Sequence, residues 1–514
     1  MKSFLYATIA VITSLYIIAC GSSDSFDPDK FFALNNGPVM ILNNELNQNV
    51  DPNTTVVVGG LDGAVNANRQ VTITNLETLE QRIVRSNNRG GFIAALTGSV
   101  LDQFTIVSGG NSITIDSMVF IDLPLDTRIK LMGGAVNRNL AKLGSVPTRI
   151  EIYNNRAYVL NGFSDNIQIF DITQNPPVQT GTIVLPLGSD PVGIAFLNNT
   201  HAYVTNLISE NVAIVNIEEQ SCETIISQVD GDFEPCDEVI IVDEGTFNNP
   251  AGVVIINDKV YVANQNIDNM TFTPIGNGFI TVINSESNEI ETIIDATGEG
   301  TSGTGKGITV INEKIYVVNS GNVLFDFETF EFTCDADSPT SIDIINTDTD
   351  TIEDSIDLPL SDINPFVCSP EAISATPNNE FAYIGSQLAG AIFKIDLETN
   401  TLLRGTGNPI IITNLDELDS TSDIVFNQHG YGFISMFNTD RVFTFDPKID
   451  DISPFPFLGE FPVGLRGDNP DSDFFDGPQD MAITDNGQDP DLYFITGISS
   501  QLGSINTSLF VPPE

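Results

Sequence analysis

Four aspartates near the end of the chain are spaced so that a single loop could hold a cation. They lie two or three positions apart, as Asp468, Asp471, Asp473 and Asp476. Carboxylates at such short spacing can wrap around an oxygen-seeking ion such as calcium. The run has no bidentate glutamate at the twelfth position of an EF-hand, and in so acidic a chain such clusters also arise by chance. The sequence therefore predicts either that the protein has no cofactor or that this loop binds calcium.

The residue types give little support to nucleophilic or transition-metal chemistry. The sequence contains no GxSxG nucleophile elbow and no phosphate-binding loop. His201 and His429 are the only two histidines, and both lie at turns in different repeats, where a solvated imidazole is expected. No Ser-His-Asp arrangement can be built from them, and a zinc or copper site is not expected. No catalytic residue is therefore assigned.

Five cysteines are present, and four of them are expected to form disulfide bonds. These four are Cys222, Cys236, Cys334 and Cys368. An even number of cysteines in an exported chain favours disulfides over free thiols, and four cysteines allow three pairings. We favour Cys222–Cys236 and Cys334–Cys368, because each local pair would fasten an insertion within one repeat.

The fifth cysteine follows an apolar amino-terminal segment. Lys2 supplies a positive start, and the apolar run ends in Ile17-Ile18-Ala19-Cys20. A segment this short indicates a secretory signal rather than a membrane span. Its end resembles the bacterial lipobox, which implies removal of residues 1–19 and attachment of lipid such as palmitate to Cys20; an ordinary signal peptide is the alternative. Glycine rather than aspartate follows Cys20, which resembles lipoproteins that are sent to the outer membrane. The sequence does not specify the surface or the periplasmic face of that membrane.

Charge restricts the partners of the chain. The 514 residues include 69 acidic and 20 basic side chains, for a formal net charge of −49, and 41% of the residues are hydrophobic. So much hydrophobic content excludes a disordered chain. A surface this negative repels phosphate backbones, so nucleic acid is not an expected partner. A saline habitat and a need to bind cations would both explain the acidity.

A strand–turn–strand–turn–strand unit recurs seven times from Pro147 onward. Its middle strand is a short apolar run around an aromatic residue, at Tyr158, Tyr203, Tyr261, Tyr316, Tyr383, Phe433 and Tyr493. The first strand usually opens with proline or glycine, as at Pro191 and Pro250. One such unit cannot bury its own faces, whereas a ring of them can. The pattern predicts a seven-bladed β-propeller whose central strands are covered on both sides.

The second repeat carries a string that is typical of one family. Its middle strand reads Ala202-Tyr203-Val204-Thr205-Asn206, and AYVLN, VYVAN and IYVVN stand in neighbouring repeats. Residues 147–510 therefore resemble the YVTN family of β-propellers. The resemblance implies a seven-bladed ring and an exported or surface-attached interaction module. It does not specify a ligand, and propellers also carry enzymes.

The chain is divided into four parts by composition. A signal peptide at 1–19 precedes a polar, lipidated tether at 20–50. Short alternating strands with Gly, Asn and Asp turns at 51–125 indicate a small β-sandwich, and residues 63–96 resemble bacterial immunoglobulin-like and carboxypeptidase-regulatory-like modules, which implies a spacer. Residues 126–514 contain the propeller, and the segment before Pro147 is expected to add an outer strand that closes the ring. The predicted fold class is all-β.

Charged side chains are expected to converge where the innermost strands begin. Alignment of the repeats places them at the second and third residues of these strands: Arg149, Lys306, Glu371, Asp423 and Asp480. Propeller ligands commonly bind at such a channel mouth, where charged side chains converge. The alternative is a solvated ring whose charges pair with one another.

The predicted function is that of a lipid-anchored outer-membrane protein whose propeller is a non-catalytic binding, adhesion or scaffold module. Its partners are the membrane, through the lipid, and an envelope or extracellular protein or glycan. A metal-dependent hydrolase or lactonase at the axial channel, using Asp423, Asp480 and Glu371 as metal ligands, is the alternative. No spacing in the sequence selects that second function.

Overall fold

The fold was analysed in a computed structural model. The structure describes residues 31–35, 55–60, 63–87, 89–97, 102–116, 135–269, 273–325, 332–360, 367–413, 419–448, 457–468, 472, 474–484 and 491–507. The predicted signal peptide and Cys20 lie outside these residues, as do residues 36–50 of the predicted tether. No helix among the described residues is long and apolar enough to cross a bilayer.

The amino-terminal part is a sandwich of two antiparallel sheets. One sheet has the order β1-β2-β5, with β1 at Phe31–Asn35, β2 at Thr55–Gly60 and β5 at Phe92–Thr97. The other has the order β4-β3-β6-β7, with β3 at Gln70–Asn75, β4 at Gln81–Arg85, β6 at Gln103–Ser108 and β7 at Asn111–Asp116. Buried side chains of both sheets, such as Phe92 and Phe104, share one core. The predicted β-sandwich is confirmed, and β1 adds a strand from within the expected tether.

Seven further sheets, which we number as blades 1 to 7, follow along the chain. Blade 1 contains β9 (Pro147–Tyr153), β10 (Arg156–Asn161), β11 (Asn166–Asp171) and β12 (Val178–Val184). Blade 2 contains β13 (Pro191–Phe196), β14 (His201–Asn206), β15 (Asn211–Asn216), β16 (Ser221–Ser227) and an added edge strand β17 (Glu238–Ile241). Blade 3 contains β18 (Pro250–Ile256), β19 (Lys259–Asn264), β20 (Asn277–Asn284) and β21 (Ile290–Glu299).

The remaining blades repeat this order with different insertions. Blade 4 contains β22 (Ile308–Ile311), β23 (Lys314–Asn319), β26 (Ser341–Asn346) and β27 (Thr351–Asp357), with a hairpin of β24 (Val323–Phe325) and β25 (Phe332–Cys334). Blade 5 contains β28 (Pro370–Ala375), β29 (Phe381–Ser386), β30 (Ala391–Asp396), β31 (Thr401–Arg404) and β32 (Ile410–Ile411). Blade 6 contains β33 (Thr421–Phe426), β34 (Gly432–Met436), β35 (Arg441–Phe445) and β36 (Phe457–Pro462). The helical turns are short, at Gly162–Ser164 and Leu465–Asp468.

Blade 7 is completed by a strand from the other end of the propeller. It contains β37 (Pro478–Ile483), β38 (Leu492–Thr496) and β39 (Gln501–Ile505), and its fourth strand is β8 (Val136–Lys142). Val136 lies opposite Ile505, and Ala141 lies opposite Leu502. The predicted closing strand is therefore confirmed. Because its first and last parts share one sheet, the ring is closed by backbone hydrogen bonds.

The central strands are buried on both faces, as predicted. All six residues of β15 are buried, and so are five of the six in β14. The core lies between blades, since Tyr158 and Leu160 of blade 1 pack in one cluster with Ile194 and Val204 of blade 2. Continuous apolar sequence is thus required because each central strand faces a neighbour on either side.

Three of the repeated tyrosines connect their blade to the next. The Tyr203 hydroxyl donates to Asn288 Oδ1 at 2.5 Å, that of Tyr261 to Asp350 Oδ1 at 2.6 Å, and that of Tyr316 to Asn400 Oδ1 at 3.1 Å. Each acceptor has a positive φ and lies in the turn between the third and fourth strands of the following blade. Burial raises the pKa of Tyr203 to about 12. Each ring fills the space between blades and its hydroxyl joins two of them.

We expect Tyr261→Phe to destabilise the protein more than Tyr316→Phe. Tyr261 donates to a carboxylate and Tyr316 to a neutral amide, and hydrogen bonds to charged groups contribute more. The expected losses in the free energy of unfolding are about 1.5–3 kcal/mol and about 0.5–1.5 kcal/mol. Urea denaturation of both variants measures them. Equal losses would contradict the assigned partners.

Both favoured disulfides are present. Cys222 of β16 is bonded to Cys236, just before β17, and Cys334 at the end of β25 is bonded to Cys368, just before β28. The first bond holds the loop that leads to the edge strand of blade 2. The second joins cysteines that are 34 residues apart, and the segment between them includes the third and fourth strands of blade 4. Each disulfide therefore fastens a repeat that carries a long insertion.

Candidate binding site at the channel mouth

Strand direction divides the loops of the ring between two ends. Since the strands of a blade alternate in direction, the innermost strands begin at the same end as the loops that join second to third strands and one blade to the next. We call this end the mouth face. The turns that join first to second and third to fourth strands lie at the opposite end, which we call the far face.

A bulge recurs where the innermost strands begin. The pairing register shifts between Pro191 and Gly193, between Thr421 and Asp423, and between Pro478 and Asp480. Blades 3 and 5 show the same irregularity at the start of β18 and β28. A bulge interrupts the ladder and redirects side chains. In blades 2, 6 and 7 the bulge displaces the second residue of the innermost strand and leaves the third, such as Asp423 or Asp480, paired with the second strand. The bulge therefore lies directly beside the site residues.

One ammonium group joins three blades across the channel. Lys306, just before the innermost strand of blade 4, pairs through Nζ with Asp423 of blade 6 and lies 2.9 Å from Asp480 Oδ1 of blade 7. Nζ also donates to the Met481 carbonyl. The Lys306 side chain is only 15% exposed, and the carboxylates are less exposed than that. The predicted site residues of opposite charge are thus brought together and neutralise each other.

The two carboxylates also hold neighbouring blades together. Asp423 accepts from the backbone N–H of Ile424 at 2.7 Å and from that of Met481 in blade 7 at 2.9 Å. Asp480 accepts from the N–H of Ile150 in blade 1 at 2.7 Å. Each aspartate therefore accepts from an N–H of the innermost strand of the following blade. This arrangement favours a structural role for both carboxylates.

The charges in this network shift one another's titration. Burial raises the pKa of Asp423 to about 7, and the adjacent Lys306 ammonium opposes that rise. Burial acts to lower the pKa of Lys306, but the attraction of Asp423 and Asp480 is stronger and the pKa lies above its ordinary value. The ammonium thus stays charged at neutral pH, while Asp423 is poised to gain a proton in mild acid.

Arg149 extends the network into blade 1. Its Nη2 donates to Glu151 at 2.9 Å, and its Nε lies 3.9 Å from Asp480 Oδ2. Nε and Nη1 are buried and have no hydrogen-bond partner among the described residues. Glu151 was not identified from the sequence, although it lies two residues from Arg149 on the same strand, where side chains share a face. Two of the three guanidinium nitrogens are therefore left without a hydrogen bond from the described residues.

A small cavity of about 80 Å³ lies beside these groups. Hydroxyl and amide side chains of blades 1, 6 and 7 line it, together with Arg149, Lys306 and Asp480 and the loop 303–305. A Cβ on Gly305 would lie 2.3 Å from the Val192 carbonyl oxygen of blade 2, so only glycine lets this loop cross the channel. The loop has the Gly-to-Lys spacing of a phosphate loop, but a strand follows it and its lysine is already paired.

Glu371 remains apart from this network. It occupies the position in β28 that corresponds to Lys306 and is only 9% exposed, and no ion pair to it is found among the described residues. Burial raises its pKa to about 8. The five predicted residues therefore form one group of four, in which Lys306 is central, and one isolated carboxyl group.

We expect Glu371→Gln to stabilise the protein at alkaline pH. Because the folded-state pKa lies above the unfolded value, the folded state binds the extra proton between about pH 4.5 and 8, and stability falls as the pH rises through that window. At pH 9 the amide should add about 2–4 kcal/mol, and near pH 4.5 almost nothing. Urea midpoints across this range measure the difference. Glu398→Gln at an exposed turn is the control, and a gain that did not vary with pH would contradict burial as the cause.

The predicted calcium ligands are largely outside the described part of the chain. Asp471, Asp473 and the side chain of Asp468 are not described. Asp476 accepts from the N–H of Leu465 at 2.8 Å, so its carboxylate closes the loop on itself. Within the described residues no group of three His, Cys, Asp or Glu side chains is arranged to hold a metal. The calcium prediction stays untested.

His429 lies at a turn, as expected from the sequence, whereas His201 is the first residue of β14 and its imidazole is engaged. Its Nε2 lies 3.0 Å from Glu223 Oε2, and its Nδ1 lies 2.8 Å from the Thr200 hydroxyl. This group stands at the far face and does not touch the cavity. It therefore adds nothing to the site at the channel mouth.

Comparisons with known proteins support the architecture. Neither a family model nor a curated protein matches the chain. Solved structures do match: hydrazine synthase of Kuenenia stuttgartiensis has 14% identity and a TM-score of 0.51, over 72% of this chain and 97% of that chain. A streptogramin B lyase has 11% identity and a TM-score of 0.45 over 72% and 97%, and the Cps50 (Swd1) propeller domain of Myceliophteria thermophila has 8% and 0.46 over 73% and 100%. At such low identity only the fold is shared.

The class of protein that emerges is a β-propeller preceded by a β-sandwich. Its ring has seven blades and a channel mouth closed by a buried ion-pair network. These features define the fold and the candidate site.

Proposed function

We propose that the chain is a cell-envelope lipoprotein of the YVTN type, anchored in the outer membrane through Cys20, whose propeller binds a protein or glycan without transforming it. The sandwich is an immunoglobulin-like spacer between tether and ring. The repeat strings and the lipobox-like amino terminus support the family and the anchor.

One observation carries the binding role. The Lys306 ammonium contacts both Asp423 and Asp480, so it occupies the position that a divalent cation would need between them. The same carboxylates also accept backbone N–H groups, which occupies further lone pairs. Groups committed in this way stabilise the ring and are poorly suited to activate water. A metal-dependent hydrolase at this channel is therefore the less favoured function.

The function is tested with the purified mature chain. It is screened for binding to peptidoglycan fragments, a glycan array and secreted proteins, and in parallel for hydrolysis of a panel of lactones and esters with added calcium or zinc. We expect binding of one class and no turnover. Turnover that Asp423→Asn/Asp480→Asn abolishes in a folded variant would establish the hydrolase instead.

The anchor is tested separately from the binding role. Mass spectrometry of the mature amino terminus should find an acylated Cys20, and Cys20→Ser should release the chain from the membrane fraction. A mature terminus at another residue, without lipid, would refute the anchor and leave the binding role in place.

A further inference from the structure

Exposed apolar side chains are concentrated on the mouth face. Connections of this face in blades 1, 2 and 3 expose Val146, Phe163, Leu187, Ile208 and Ile275. Leu187 is 96% exposed and Phe163 is 72% exposed. On the described turns of the far face no large apolar side chain is exposed, and the exposed ones nearest to that end are Val178, Val239 and Val310, which lie within the strands β12, β17 and β22. Scattered apolar residues would not show this asymmetry.

Hydrogen bonds join the loops that carry these side chains. The N–H of Gly162 donates to the Val146 carbonyl at 2.9 Å, and that of Gly188 to Asp165 Oδ2 at 2.8 Å. The N–H of Leu207 donates to the Asp190 carbonyl at 3.0 Å. Residues 146, 163, 187 and 208 therefore belong to one connected surface that spans blades 1 and 2.

The surface continues in the other direction around the ring. Leu465, Phe474 and Ile498 are also exposed, at 53%, 63% and 61%. Asp476 holds their loops together, since its carboxylate accepts from the N–H of Leu465 and its carbonyl from the N–H of Ile498. The N–H of Leu143 then donates to the Ser500 carbonyl at 2.9 Å, which joins blade 7 to the segment before blade 1. The two connected groups contain seven exposed residues, which we call the apolar arc: Val146, Phe163, Leu187, Ile208, Leu465, Phe474 and Ile498.

The charge beside the apolar arc is negative. Asp243 and Glu244 are exposed on the loop that leads from blade 2 to blade 3. The described mouth-face connections contain two cations, and both are engaged: Lys306 in the channel network, and Arg466, which donates to the Asn438 carbonyl at 3.0 Å and stacks on Phe475. Lys142, the last residue of β8, is also exposed at this end. Asp243 and Glu244 outnumber it, so the mouth face offers exposed apolar side chains beside a net negative charge.

We infer that the apolar arc is the docking surface for a protein partner that presents apolar side chains among lysines and arginines. This inference rests on the proposed binding function and assigns it a face and a partner chemistry. A second copy of the chain is disfavoured because each copy has a net charge of −49, and anionic lipid is disfavoured by the same repulsion. An exposed apolar arc that extends over the loops of three blades suits a protein surface, whereas small ligands bind in concave sites.

The test uses the mature protein and a defined probe. The probe is an amphipathic helical peptide of leucine and lysine, followed by fluorescence anisotropy. One comparison peptide replaces lysine with glutamate, and another replaces leucine with serine. The variant is Phe163→Ser/Leu187→Ser/Ile208→Ser. The matched control is Val239→Ser/Ile241→Ser, which removes exposed apolar side chains from β17 at the blade edge. Urea midpoints confirm that both variants are folded.

We expect the leucine–lysine peptide alone to bind, the arc variant to bind it about tenfold more weakly or worse, and the control to bind within about twofold of the wild type. Equal binding of the serine peptide, or an unaffected arc variant, would overturn the inference. So would arc-dependent binding to phosphatidylcholine vesicles or arc-dependent dimerisation in sedimentation, which would assign the surface to lipid or to a second copy. If a glycan binds wild type and arc variant alike, the binding function stands and the docking surface is wrong.

Discussion

Lys306→Met is expected to lower the free energy of unfolding by about 3–5 kcal/mol at pH 8, the usual cost of removing one partner from a buried ion pair. The substitution preserves much of the side-chain volume but leaves Asp423 and Asp480 facing each other without the ammonium that contacts both. Arg149, 3.9 Å from Asp480, compensates only in part. Urea denaturation followed by far-UV circular dichroism measures the loss.

The effect of Lys306→Met should also depend on pH. Because burial raises the pKa of Asp423 to about 7, and more so without the ammonium, lowering the pH protonates the folded state first and restores stability. The loss should therefore shrink between pH 8 and pH 5. Adding Asp423→Asn and Asp480→Asn to the variant removes the uncompensated charges and should recover most of the loss. A single variant as stable as the wild type would mean that the network is solvated.

Val136→Asp is expected to lower the free energy of unfolding by a comparable amount, about 3–5 kcal/mol, because it places an unpaired charge in a buried position. Val136 is fully buried in β8 and pairs with Ile505 of β39. Since β8 is the fourth strand of blade 7, loss of its pairing opens the ring and exposes the edge of β39. Urea denaturation should show a lower midpoint, and limited proteolysis should cut first near β8 and blade 7.

Asn139→Asp is the matched control for this prediction. It adds the same charge to the same strand at an exposed position, and its positive φ of 56° is one that aspartate tolerates. Its midpoint should stay close to that of the wild type. Equal midpoints for the wild type, Val136→Asp and the control would show that ring closure does not depend on β8.

Much of the architecture follows from local sequence. The apolar runs around Tyr203 and Tyr261 are long enough to predict strands covered on both faces, and the disulfide partners could be chosen because each pair is local. The Leu-Pro-Leu and Gly-Gly punctuation before Pro147 predicts a crossing segment that adds the closing strand. These features depend on residues that are close in the chain or on the repeat itself.

The site was less predictable, because its contacts join distant blades. Lys306 and Asp423 are 117 residues apart, and only the bulges and the glycine loop at 303–305 bring them together. Alignment of the repeats placed Glu371 at the position equivalent to Lys306. It did not show that the surroundings of Glu371 differ and leave it without an ion pair among the described residues. The partners of the tyrosine hydroxyls in the following blade depend on turn geometry that single repeats do not reveal.

The shared sheet of blade 7 has a consequence for biogenesis. Because β8 precedes the other propeller strands and β39 follows them, a growing chain cannot close its circle until residue 505 has left the ribosome or the translocation pore. The sandwich can fold much earlier, since all of its strands come first. Partly synthesised chains therefore remain open, and the propeller closes only when the last strands are available to pair with β8.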